Sequence, residues 1–178
     1  MIKVAIVDDN QINRITIKEK LAPYQDVLLV FEATNGEDFF DKLESLPKED
    51  YPQVVLMDLE MPILDGIVTI ASASIKFPEI KYIVLTIYED DDKIFEAIKA
   101  GASGYLLKED KAINIVEAMK NVVQFDGIPM SPAIARRAMD LLRDTPKPTA
   151  SMQNAIIDHQ LSDREMEILR EVVKGYNH

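Results

Sequence analysis

Five short runs of β-branched and apolar residues, each separated from the next by a longer amphipathic stretch, constrain this chain more than any other feature. The runs are Ile2–Val7, Val27–Ala33, Val54–Met57, Tyr82–Leu85 and Gly104–Leu107. Several are apolar almost throughout, which is the pattern of strands covered on both faces. Helical patterns fall between and after them, over about residues 11–22, 36–46, 66–77, 91–100 and 110–124. In the last of these, Ile113, Val116, Ala118, Met119, Val122 and Val123 lie largely on one stripe. Strict βα alternation predicts a parallel sheet with helices on both faces and right-handed crossovers. Five such units fill one three-layer doubly wound domain and are too few for an eight-fold barrel.

After residue 124 the pattern changes. Phe125–Pro132 (FDGIPMSP) is a turn-rich break, and a helix is predicted over Ala133–Arg143 with Arg136 and Arg137 on a solvated face. Asp144–Ser151 holds two prolines and few apolar residues, as a linker does. In the last segment, 161–178, Ser162 and Glu165 form a capping-box pattern. Met166, Leu169, Val172 and Val173 make an apolar stripe that stops at Gly175. One amphipathic helix cannot bury that stripe alone, so the expectation is a sequence that stops inside a second domain. The division expected is a domain over 1–124, a linker over 125–160 and the start of an output domain over 161–178.

Composition excludes several classes. Of 178 residues 47% are hydrophobic and 29% charged, ordinary for a globular chain, and no apolar run reaches the roughly 20 residues of a membrane helix. The absence of Cys removes disulfides, zinc–thiolate sites and thiol nucleophiles. With acid reached after seven residues, the N-terminus is not a signal peptide, and a cytoplasmic location is expected. The formal charge of −11 argues against a basic face for nucleic acid. The acidity is local: residues 1–124 hold 13 Lys/Arg against 23 Asp/Glu, and the remainder 7 against 8.

Ligands of open parallel sheets bind beyond the carboxyl ends of the strands. There the first strand ends in Asp8-Asp9, the third in Asp58, the fourth in Thr86 and the fifth in Lys108. Three clustered carboxylates repel one another, and a divalent cation is the simplest means of holding them together. An all-oxygen donor set without His or Cys favours Mg²⁺. Such a site suits phosphoryl transfer with Asp58 as nucleophile, Asp8 and Asp9 holding metal, Lys108 pairing with the phosphoryl group and the Thr86 hydroxyl bonding one of its oxygens.

VDDN at 7–10, MDLEMPILDG at 57–66, LT at 85–86 and GYLLK at 104–108, in this order at strand ends, resemble a bacterial response-regulator receiver domain. The resemblance covers about residues 1–124. It implies a flavodoxin-like five-stranded sheet of order 2-1-3-4-5, with Asp58 as phospho-acceptor for a histidine kinase. It further implies Mg²⁺ on Asp9, Asp58 and the backbone carbonyl of Glu60, with Asp8 acting indirectly through water or by positioning. Thr86 and Tyr105 match the family's switch pair, and Lys108 its lysine. Glu109 departs from the pattern, since many receivers carry Pro there. The GYLLK-E-D form, the SPAIARR segment at 131–137 and Leu161-Ser162-Asp163-Arg164-Glu165 resemble the subfamily with a LuxR-type helix-turn-helix output. That resemblance implies a homodimer whose DNA binding resides in the complete output domain, with no membrane partner.

Plainer readings stand beside these. Asp8 and Asp9 are also good N-caps for the first helix. Asp58 suits a turn before Met61-Pro62, although Asp65-Gly66 already supplies turn chemistry. Tyr105 suits half-buried strand packing. The acid run Glu89–Asp92 suits the positive end of the following helix. Glu60 and Tyr88 sit where they would tune hydrolysis of an acyl phosphate, and His159 and His178 receive no role. Two other functions stay open: a Mg²⁺-dependent phosphatase or phosphotransferase with an aspartyl-phosphate intermediate, and a phosphorylation-independent dimerisation module. A phosphatase of the haloacid-dehalogenase type carries its second acid two residues after the nucleophile, whereas here the pair is adjacent and Asn10 follows.

Overall fold

A computed structural model describes residues 1–87 and 91–144. The elements are β1 (Ile2–Val7), α1 (Gln11–Leu21), β2 (Val27–Ala33), α2 (Gly36–Ser45), a 3₁₀ turn (Lys48–Asp50), β3 (Val54–Met57), α3 (Gly66–Lys76), β4 (Lys81–Thr86), α4 (Asp91–Ala100), β5 (Gly104–Leu107), α5 (Ala112–Phe125) and α6 (Pro132–Asp144). The sheet is parallel throughout with order β2-β1-β3-β4-β5, as the resemblance implies. Met1–Leu141 form one compact unit. The proline-rich stretch from residue 145 and the predicted helix in 161–178, with Ser162, Glu165, His159 and His178, lie outside the described residues. So do Tyr88, Glu89 and Asp90.

The period of two along each strand sorts the core into two layers. Ala5, Val7, Val55, Met57, Tyr82 and Val84 face α2, α3 and α4, where Phe39, Leu43, Ile70, Ala73, Ile94 and Ala97 meet them. Val4, Ile6, Val54, Leu56, Ile83 and Leu85 face α1 and α5, against Ile17, Leu21, Ile115, Val116, Met119 and Val122. All four residues of β3 are buried, which explains its unbroken apolar run; β2, at one edge, is mostly half-buried. β5 occupies the other edge and is nevertheless buried along its length. Its cover is the segment between α5 and α6: Met130 bridges to Tyr105, and Ile134 of α6 joins the core. An edge strand capped in this way offers fewer free backbone groups to a foreign strand.

Local chemistry places the helix starts. Asn10, Asn35 and Asp65 cap α1, α2 and α3, each accepting from a backbone N–H inside its helix. The Asp38 carboxylate reaches back past the cap and accepts from the Thr34 N–H at 2.8 Å. α3 starts against the end of β3, and the Gly66 N–H donates to the Leu59 carbonyl at 2.9 Å. A Cβ on Gly66 would stand 2.0 Å from the Asp58 carbonyl oxygen, so only glycine allows this approach. In the preceding loop Ile63 is held at φ 70°, a strained conformation for a β-branched residue. Among the described residues no helix is long and apolar enough to cross a membrane.

Candidate functional site

The sheet topology does what the strand-end residues anticipated. β1, β3, β4 and β5 are neighbours, so Asp8, Asp9, Asp58, Thr86 and Lys108 leave the same edge of the sheet. One carboxylate oxygen from each of Asp8, Asp9 and Asp58 lies within 4.8 Å of the other two. Lys108 reaches into this group, its Nζ 2.7 Å from Asp58 Oδ2 and 2.7 Å from Asp8 Oδ2. Asp8 and Asp58 are buried, and Asp9 is exposed. The second oxygen of Asp58 accepts from the Leu59 N–H at 2.9 Å.

The cap reading for the acid pair is resolved by Asn10, whose side chain caps α1 instead. Asp8 turns inward, its Oδ1 accepting from the Asn10 N–H at 2.9 Å and from Asn13 Nδ2 at 3.3 Å. Its Oδ2 stands 2.7 Å from the Lys108 ammonium as a buried ion pair. Three carboxylates gathered this closely carry more negative charge than one ammonium offsets, which suits a hard cation and its bound water. The donor set therefore fits Mg²⁺: oxygen ligands alone, on a backbone fixed by two strands.

Electrostatics set the ionisation of the centre. Burial pushes the Asp58 carboxyl above the ordinary carboxylate range; Lys108 pulls in the opposite direction, and Asp8 adds to the rise. Burial works against the charge of Lys108, but hydrogen bonds and charge from Asp58 and Asp8 outweigh it and hold the ammonium above the usual lysine range. Lys108 is thus a firm cation between two carboxylates.

The remaining expected residues fall as follows. Thr86 is fully buried at the end of β4, its carbonyl accepting from the Lys108 N–H at 2.8 Å. Tyr105 is 1% exposed, inside the core rather than half-buried on the strand. The Glu60 side chain is ion-paired with Lys93 of α4, tying the loop after β3 to that helix. Three contributors carried no signal in the sequence. Arg14, one turn into α1, donates to the Asp8 carbonyl at 2.8 Å and the Asp9 carbonyl at 3.1 Å, and its Nε lies 3.4 Å from Glu32. Lys20 donates to the carbonyls of Lys108 and Asp110 at 2.7 and 2.8 Å. Lys93 is the third. Lys20 and Lys93 meet partners distant in sequence, and Arg14 meets backbone carbonyls, so residue spacing alone had nothing to flag.

A doubly wound sheet of this strand order, with three carboxylates and a lysine gathered at its carboxyl edge, defines a class: the receiver domains of two-component signalling proteins. The chain belongs to that family, for residues 4–120 match the response regulator receiver domain. It is 31% identical over 176 residues to the response regulator protein VraR of Staphylococcus saprophyticus, spanning 99% of this chain and 78% of that protein. It is 31% identical over 186 residues to the transcriptional regulatory protein LnrK of Bacillus subtilis, spanning 99% and 79%. Among solved structures it is similar to the response regulator ChrA of a heme-sensing two-component system, with TM-score 0.64 and 25% identity over 98% of this chain and 76% of that one. A LuxR-family response regulator from an Aurantimonas species shares the fold, with TM-score 0.72 and 23% identity over 81% and 99%.

Proposed function

We propose that this response regulator receives a phosphoryl group from a histidine kinase on Asp58, in a reaction that requires Mg²⁺. The observation that carries the reading is the buried Asp58 carboxylate, paired with Lys108 at 2.7 Å and facing the Asp8–Asp9 pair at the carboxyl edge of the sheet. A structural ion pair has no need of two further carboxylates beside it.

In this reading Asp9, Asp58 and the Glu60 carbonyl hold the cation, with Asp8 acting through bound water. When bound, Mg²⁺ neutralises charge on the phosphoryl oxygens and offsets repulsion among the carboxylates. An oxygen of Asp58 attacks phosphorus in line, a P–O bond forms, and the P–N bond to the kinase imidazole breaks. Lys108 transfers one of its contacts from Asp58 to a phosphoryl oxygen, and the Thr86 hydroxyl donates to another. Both reach the site from neighbouring strands, so their response passes into β4, β5 and the face formed with α4 and α5.

The domain division belongs to the same proposal: a receiver over 1–124, a linker over 125–160 and the opening of a LuxR-type helix-turn-helix over 161–178. Dimerisation and DNA binding by the complete output domain would then follow phosphorylation in the cytoplasm. The name of the LnrK relative, a transcriptional regulatory protein, supports that output. Incubation with phosphoramidate and Mg²⁺, read by intact mass, tests the acceptor: wild type gains one phosphoryl group and Asp58→Asn gains none. Uptake by Asp58→Asn would overturn the assignment.

A further inference from the structure

Lys108 acts only where its backbone puts it, and that backbone is held by a residue from outside the five βα units. The Leu107 N–H is shared between Asp110 Oδ2 at 3.1 Å and Ser131 Oγ at 3.0 Å. The Ser131 hydroxyl in turn donates to the Asp110 carboxylate. Ser131 is 4% exposed, and its own N–H donates to the Tyr105 carbonyl at 3.0 Å, while the Tyr105 N–H donates to the Pro129 carbonyl at 2.9 Å. On the other side, Lys20 grips the carbonyls of Lys108 and Asp110. The turn that carries Lys108 is therefore clamped between α1 and the segment that opens α6.

Resting on the receiver reading, we propose that Ser131 is a positioning residue of the acceptor site, and that the Asp110–Ser131 contact couples Lys108 directly to α6. Ser131 stands immediately before α6, and its carbonyl accepts from the Ala135 N–H at 2.9 Å in the first turn of that helix. Any shift of the Lys108 turn, as the ammonium leaves Asp58 for a phosphoryl oxygen, meets the α6 start through two side chains. This route runs through the turn after β5 and needs no movement of the Tyr105 ring. The coupling is reciprocal by linkage: whatever displaces α6 alters the placement of Lys108 and with it the affinity for the phosphoryl group.

The test uses the full chain with Ser131→Ala, Ser131→Thr, Asp110→Ala and the Ser131→Ala/Asp110→Ala pair. Phosphoramidate uptake at saturating Mg²⁺ is read by intact mass, and amide exchange at Leu107 by mass spectrometry. Loss of one hydrogen bond at the clamp slows uptake about threefold to tenfold in Ser131→Ala, with faster Leu107 exchange. Ser131→Thr keeps the hydroxyl and stays near wild type. The double variant loses both acceptors of the Leu107 N–H and is slower than either single, with the fastest Leu107 exchange. Uptake by Ser131→Ala within twofold of wild type with unchanged Leu107 exchange overturns the proposal, as does a double variant whose Leu107 exchange is no faster than that of either single. If wild type takes up no phosphate, the receiver chemistry fails instead, and Leu107 exchange still decides whether the clamp exists.

Discussion

Replacing Asp58 by Asn should stabilise the metal-free protein while abolishing phosphate uptake. The Asp58 carboxylate is 8% exposed and lies 2.7 Å from Lys108. At an effective dielectric of about 20 that contact is worth about 6 kcal/mol of attraction. An oxygen of Asp8, within 4.8 Å, returns at least about 3.5 kcal/mol of repulsion on the same scale, and exposed Asp9 adds a smaller, screened share. Removing the carboxylate from water costs several kcal/mol more. The balance falls against the ionised form, in agreement with a carboxyl that burial holds above the ordinary carboxylate range. The isosteric amide removes the charge yet leaves Lys108 paired with Asp8. The expected gain is about 1–2 kcal/mol, or about 3–7 °C in Tm for a chain of this length, measured by calorimetry in EDTA at neutral pH. At tenfold excess over its dissociation constant, Mg²⁺ returns about 1.4 kcal/mol to wild type and less to the variant, which has lost a ligand. A variant less stable than wild type by 1 kcal/mol or more in EDTA would mean that Asp58 anchors the fold, and the electrostatic reasoning would fail.

Other outcomes follow from residues away from this centre. Burial alone would raise the Asp38 carboxyl, but Lys42 and the Thr34 N–H outweigh it and hold it below the ordinary value of 3.8. A depressed carboxylate adds stability at pH above its unfolded value and loses it as pH falls through the folded one. Asp38→Asn should therefore lower stability at neutral pH and flatten the loss below about pH 4, read by urea unfolding across pH; an unchanged acid limb would contradict this. Ile63, 76% exposed at φ 70°, contributes little packing and pays strain, so Ile63→Asn should raise stability by about 1 kcal/mol. A drop in Tm would show that this side chain packs after all. Asn10→Ala removes the cap of α1 and should cost about 1 kcal/mol, while Mg²⁺ affinity by calorimetric titration stays within about twofold of wild type. A tenfold weaker affinity would place Asn10 in the metal site.

The order of elements was legible in the residues because burial on both faces writes itself as an unbroken apolar run, as in Val54–Met57, and helix periodicity is equally local. The acids and the lysine of the site were legible for a related reason: each ends a strand, and a parallel sheet sends all its carboxyl ends to one edge. The residues that steady them were not. Arg14 reaches back to carbonyls in the loop before its own helix, Lys20 crosses to a turn 88 residues away, and Ser131 returns to the edge of β5 from beyond α5. The deep burial of Tyr105 likewise depends on Met130 and Ile134 covering an edge strand that the pattern alone leaves open. A sequence displays periodicity and residue type, which decide what each segment becomes and which end of it carries chemistry. Hydrogen bonds between distant segments are decided only when packing sets the helices at fixed distances from the sheet, and those bonds hold the lysine where it meets the carboxylates.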